Sequence, residues 1–162
     1  MNTEVLDILM YLFDIYMDDI HSNQPSEEDI RNELASIGFH HSTVDHAFDW
    51  LDELSFLPDD IDHIETLYGQ TQYNGTRIFN HFELEKFNHQ AQGLLLELVE
   101  LEVISISQRE LIIEKALSLN VVHINQEQIK LIILMVLYNL SDSVESYTWI
   151  QDHLYADMPT IH

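Results

Sequence analysis

Ser26-Glu-Glu-Asp-Ile-Arg-Asn-Glu-Leu-Ala-Ser-Ile-Gly-Phe39, running on through His40-His-Ser-Thr-Val-Asp-His-Ala-Phe-Asp-Trp-Leu-Asp-Glu-Leu54, is the stretch on which the fold turns. Ser26 predicts a helix N-cap, since its hydroxyl can accept a backbone N–H of the first turn. Glu27, Glu28 and Asp29 then put negative charge at the positive end of the helix dipole. Ile30, Leu34 and Ile37 follow at helical spacing and predict the inner face. Gly38 ends this helix, because the residue after a helix often takes the left-handed conformation that a β-carbon disfavours. Phe39 stands where an apolar side chain folds back onto the last turn. Ser42 and Asp45 lie in the register of a capping box and open a second helix through Val44, Ala47, Phe48, Leu51 and Leu54. The stretch reads as a tight helical pair joined at a Gly–Phe corner.

Outward from the pair the chain stays helical. Four Gly and three Pro in 162 residues leave little punctuation, which favours helices. Thr3 to Ile20 carries Val5, Leu6, Leu9, Leu12, Phe13, Tyr16, Met17 and Ile20 on one broad face. Ile8, Tyr11 and Ile15 form a second stripe beside it. Such a stripe is seldom left bare, so these three are expected to pack under the C-terminal half or to meet a partner. His21 to Pro25 reads as a loop. Pro58 to Gly75 lacks a sustained period and reads as a linker.

Beyond the linker, Arg77-Ile-Phe79 is expected to be a short strand, with further extended segments at Val103–Ile106 and Val121–Ile124. Asn80 with Glu83 predicts a short capped helix, followed by a longer one through Leu94, Leu95, Leu98 and Val99. Ser107 with Glu110 is expected to cap the next helix. Asn125 opens one to about Leu140 that is apolar on nearly every side, the mark of a central buried helix. A last helix is expected over about Ser143 to Ala156. The division is residues 1–57, an acidic three-helix unit; 58–76, a linker; and 77–162, a helical unit with short strands. The fold class is mainly α, with the acidic N-terminal unit packed on a C-terminal helical unit that carries short β-strand segments.

Charge bounds the function. The chain has 29 Asp and Glu against 6 Lys and Arg, a formal net charge of −23. Residues 1–76 hold 17 of the acids and a single base, Arg31. Nucleic acid is bound mainly by Lys and Arg that displace counterions from phosphates, so direct nucleic-acid binding is not expected. A helix-turn-helix reading fails likewise, because Asp45, Asp49, Asp52 and Glu53 occupy the helix that would enter the groove. With 46% hydrophobic residues the chain can still bury a core. The absence of cysteine excludes disulfides, thiolate zinc sites and thiol nucleophiles. Met1 to Ile20 is apolar but carries acids where a signal peptide needs bases, and the longest uncharged apolar run, Leu131 to Tyr138, is far shorter than the ~20 residues of a membrane span. A soluble cytoplasmic protein without membrane contact is expected.

Catalytic patterns are missing from the sequence. It has no Gly-x-Ser-x-Gly elbow, no phosphate-cradling glycine loop and no His-Glu-x-x-His helix. His41 with Asp45, His46 with Asp49, and Asp49 with Glu53 have helical spacing that could hold a cation, yet a chain this acidic makes such pairs by chance. Asp59, Asp60 and Asp62 lack the glycine and terminal Glu of a calcium loop. No cofactor, metal or catalytic residue is assigned, and the chain is read as not an enzyme.

The corner Ile37-Gly-Phe39 and the helix after it resemble ubiquitin-associated domains and the recombinase-regulating RecX repeats. In ubiquitin-associated domains the glycine corner and the end of the last helix bind a partner, which makes Gly38, Phe39 and Trp50 candidate interaction residues beside Ile8, Tyr11 and Ile15. Over nearly its whole length the chain resembles the Smg family of bacterial proteins of unknown function. The opening Val5-Leu-Asp-Ile-Leu-Met-Tyr-Leu-Phe13, the Ile37-Gly-Phe39 corner, Trp50-Leu51, Arg77-Ile-Phe79, Gln108-Arg-Glu110, Leu131–Asn139 and a final His162 carry the resemblance. It implies no accepted activity, and only that the family's genes often lie near one for a DNA-processing protein.

The expectation is therefore a non-enzymatic acidic protein–protein interaction module. Its partner would be a basic protein linked to nucleic-acid processing, with a homodimer also open. The alternatives are a metal-dependent or small-molecule-binding enzyme, and an acidic mimic of nucleic acid.

Overall fold

The computed structural model describes residues 4–17, 25–57, 78–140 and 148–152. Seven helices are bounded within them: α1 (Glu4–Met17), α2 (Glu27–Ile37), α3 (His41–Leu54), α4 (His81–Lys86), α5 (His89–Glu100), α6 (Ile106–Ser118) and α7 (Gln126–Tyr138). Residues 148–152 are helical as well. The expected linker, Asp59, Asp60 and Asp62, Arg77 and most of the expected last helix lie outside the described residues.

The Gly38 corner forms as its sequence predicts. Ser26 accepts the Asp29 N–H at 3.2 Å, and Gly38 has φ 114°. The Gly38 N–H donates to Ala35 O at 3.1 Å and the Phe39 N–H to Leu34 O at 3.2 Å, the paired bonds of a Schellman motif. Phe39 packs against the core from that position. Ile37, expected inside, is 59% exposed. The cap of α3 also differs: His40 holds the N-cap position without a side-chain bond, and helix begins at His41 rather than after Ser42. The Schellman turn already aims the chain into α3, so the connection is two residues shorter than the Ser42 cap implied.

No strand occurs among the described residues, which corrects the expected β segments. Ile78 and Phe79 precede α4 outside any strand. Val103–Ile104 belongs to the end of α5, where Glu102 takes φ 59° and the Val103 N–H returns to Leu98 O at 2.9 Å. That backbone donor is committed to a second Schellman turn and cannot enter a sheet. Ser105, not Ser107, caps α6, in a box with Gln108. Val121–Ile124 makes one isolated parallel bridge, Ile124 to Phe87. Two bonds hold it, Ile124 N–H to Lys86 O at 2.7 Å and Asn88 N–H to Ile124 O at 3.1 Å. The Asn80–Glu83 and Asn125–Gln128 caps form where expected.

The core is continuous from Val5 to Ile150. Its centre is α7, in which every residue from Ile129 to Leu137 is buried, Lys130 included. α1 lies chiefly against α3 and also reaches α7, while α5 and α6 pack on α7. A polar clamp joins α3 to the C-terminal end of α6. The buried Trp50 indole N–H donates to Lys115 O at 2.9 Å and lies 3.0 Å from Ser118 Oγ. Lys86 completes the clamp by donating to Leu117 O and Leu119 O, so the orphan carbonyls at that helix end are met by an indole and an ammonium group.

Candidate functional site

The acidic character of this chain is sharpened by where its few cations go. Arg31 of α2 is held by Glu27 at 3.0 Å and by Asp45 of α3, with its guanidinium carbon 4.4 Å from the centre of the Phe48 ring. The Asp45 hydrogen bond raises its pKa, assisted by Glu27 and opposed by burial. Lys86 is spent on helix-end carbonyls, and burial pushes its pKa down. Arg109 is 8% exposed and pairs with Glu110 at 3.2 Å. Lys115 pairs with Glu53 at 3.4 Å, and Lys130 is 7% exposed and pairs with Glu127 at 3.2 Å. All five described cations therefore serve the fold. None is left as an outward positive group, whereas Glu28, Asp29, Asp49 and Asp52 of α2 and α3 are exposed.

One groove combines carboxylates with apolar surface. It has a volume of about 250 Å³ and lies where α1, α3 and α7 meet. Phe48 and Met135 form its buried floor, and the half-buried Phe13 and Leu51 line its sides. Tyr138, 62% exposed, stands at one end beside Asn139. Glu27 and Asp52 supply the carboxylates. Helical spacing brings this set together, since Phe48, Leu51 and Asp52 share one face of α3, and Met135 and Tyr138 share one face of α7. A second hollow, of about 470 Å³, lies among Phe82, Lys86, Leu117 and Val122, with Phe82 75% and Val122 59% exposed.

The residues singled out from sequence fall in three places. Ile8 and Trp50 are buried in the chain's own core, at 0% and 2% exposure. Tyr11 and Ile15 are partly buried and pack against that core, and Phe39 does so at the corner. Gly38 is exposed, and a β-carbon there would meet nothing within 4 Å. They do not converge on one surface. Tyr11 has a role inside the fold: a hydrogen bond to Glu33 of α2, with burial and the negative charge beside it, pushes its phenol up to about 12. Asp14 is raised by burial alone.

The metal pairs read from spacing come to little. His41 Nδ1 lies 3.8 Å from Asp45 Oδ2 on an exposed face, and Asp45 is already engaged by Arg31. Among the described residues no group of three His, Asp or Glu side chains could hold a metal ion. Sequence reading missed the groove because Phe13, Phe48 and Leu51 look like core residues at helical spacing. The available signal was Tyr138, a polar-tipped aromatic ending a helix otherwise apolar on every side.

These features define an all-α protein with an acidic surface and an apolar groove. Comparison with known proteins places it further. A family described as "Protein of unknown function (DUF494)" matches residues 5–162. The chain is 35% identical over 158 residues to "Protein Smg homolog" of Nitrosococcus oceani, covering 98% of this chain and 97% of that protein. It is 32% identical over 160 residues to the protein of the same description from Thioalkalivibrio sulfidiphilus, covering 98% of each. No solved structure matches. The chain belongs to the Smg family. No helix among the described residues is long and apolar enough to cross a membrane.

Proposed function

We propose that this chain is a non-enzymatic protein-interaction module that selects basic partners. The observation supporting this most strongly is the internal use of the described cations. With Arg31, Lys86, Arg109, Lys115 and Lys130 all engaged within the fold, the outward charge of α2 and α3 is almost purely anionic. Such a surface repels phosphate backbones and attracts Lys- and Arg-rich proteins. Proteins that handle nucleic acid carry basic surfaces of this kind, which makes them the class of partner expected.

The displaced ionisations among the described residues lie apart from the groove. Tyr11, Asp14, Arg31 and Lys86 are all outside the set that lines the groove. Tyr11 and Arg31 are each accounted for by a contact within the fold, and Lys86 by its burial.

The experiment is affinity capture from the native host on the immobilised chain at low and at high salt, with native mass spectrometry of the purified protein. Retention of basic proteins that resist high salt is expected, because apolar contacts are not screened. Loss of every partner at high salt would point to a mimic bound by charge alone. A stoichiometric metal or metabolite on the purified chain would point to an enzyme.

A further inference from the structure

We infer that the groove between α1, α3 and α7 is the docking site for a basic amphipathic helix of a partner protein. This rests on the interaction reading above and assigns it a place and an occupant. The apolar part of the groove supplies the contact: Phe48 and Met135 below, Phe13, Leu51 and Tyr138 around. Apolar anchors repeating every three or four residues on one helix face enter such a groove, as in other helix-in-groove complexes. An aromatic side chain at the rim, as Tyr138 is, belongs to the residue types that dominate interface energetics.

Charge selects the occupant. Glu27 is partly neutralised by Arg31, but Asp52 has no basic partner among the described residues. Asp49, one turn before Glu53 on the same helix, is exposed as well. A helix that flanks its apolar anchors with Lys or Arg would meet these carboxylates, and one flanked by Glu or Asp would be repelled. Charge likewise disfavours this chain as its own ligand. Residues 18–24, 58–77, 141–147 and 153–162 each carry more acids than Lys and Arg. A second copy brings another −23.

The test uses the full chain, isotope-labelled for NMR, and a synthetic Leu/Lys peptide of about four helical turns with Leu at i, i+3, i+4 and i+7. Two matched controls replace Lys by Glu or Leu by Ser. Variants are Asp52→Lys and Tyr138→Ser, both at exposed positions so that the fold is retained, with unchanged spectra elsewhere confirming this. The Leu/Lys peptide is expected to shift the resonances of Phe13, Leu51, Met135 and Tyr138, neither control should do so, and each variant should weaken binding about tenfold.

Binding that maps to other parts of α2 and α3 and is indifferent to both variants overturns the groove assignment while leaving a basic-partner module standing. Absence of binding by any basic peptide overturns both. Equal binding of the Leu/Glu peptide overturns the charge selection. A dimer in sedimentation without peptide, returned to monomer by Tyr138→Ser, overturns the foreign occupant in favour of a second copy.

Discussion

Gly38 and Gly93 allow the helical corner to be tested with opposite signs in one protein. A β-carbon at either position would meet nothing within 4 Å, so neither substitution to alanine is decided by a clash with neighbours. What differs is the backbone. Gly38 has φ 114° after α2, where any L side chain is strained; a left-handed conformation costs a non-glycine residue about 1–2 kcal/mol. Gly93 lies inside α5 and is exposed, where glycine is about 1 kcal/mol worse than alanine. Gly38→Ala should therefore destabilise by about 1–2 kcal/mol and Gly93→Ala should stabilise by about 1 kcal/mol. For a chain of this size 1 kcal/mol moves the melting temperature by about 2–4 °C. The two variants should thus melt about 4–12 °C apart in thermal unfolding followed by circular dichroism, with the wild type between them. Gly38→Val should fall below Gly38→Ala, since a β-branched residue is worse there. A Gly38→Ala variant as stable as the wild type would refute the Schellman corner and with it the entry angle of α3.

The remaining predictions use other parts of the fold. Glu102 holds φ 59° at the end of α5, so Glu102→Gly should raise stability by about 1 kcal/mol; a loss would mean that its side chain contributes more than its backbone costs. Trp50→Phe removes the indole donor from Lys115 O and Ser118 Oγ and should destabilise by about 1–3 kcal/mol in denaturant unfolding; no change would dissolve the clamp between α3 and α6. Tyr11 is neutral in the folded chain up to about pH 12 but titrates at about 10, as an ordinary phenol, when unfolded, so its contribution is complete below pH 10 and lost as pH rises towards 12. Tyr11→Phe should flatten that alkaline loss of stability and delete one late-ionising phenol from the absorbance titration, and an unaltered titration would contradict the Glu33 contact. Self-repulsion of a −23 chain should give a higher melting temperature in 0.5 M than in 0.02 M sodium chloride, where the Debye length falls from ~20 Å to ~4 Å; a decrease would mean that the acids are paired or bind cations.

The elements legible in the sequence are those fixed locally. Ser26, Asn80 and Asn125 cap their helices through their own side chains, and Gly38 stops α2 through its own φ. The buried character of α7 followed from apolar residues on every side. What sequence did not reveal depends on groups far apart in the chain. Val103, Val121, Val122 and Ile124 are β-branched and apolar, hence strand-like, but a helix end consumes the Val103 N–H and Ile124 makes a single bridge among the described residues. Ser105 and Ser107 both stand three residues before Gln or Glu, and the α5 turn through Glu102 selects Ser105. The groove is legible only in assembly, because Phe13, Leu51 and Tyr138 come from three helices. The internal fate of the described cations was hidden too, since Lys86 and Lys115 find partners 31 and 62 residues away.

Fluorescence anisotropy in one buffer at physiological salt sets the labelled Leu/Lys peptide against a labelled duplex oligonucleotide. Because the described cations are turned inward and the groove is acidic and apolar, the peptide should bind at micromolar concentration. The oligonucleotide should bind no more tightly than the non-specific range of ~10⁻⁴–10⁻⁶ M. Submicromolar oligonucleotide binding that weakens with salt, with no binding of the peptide, would contradict the account at its centre.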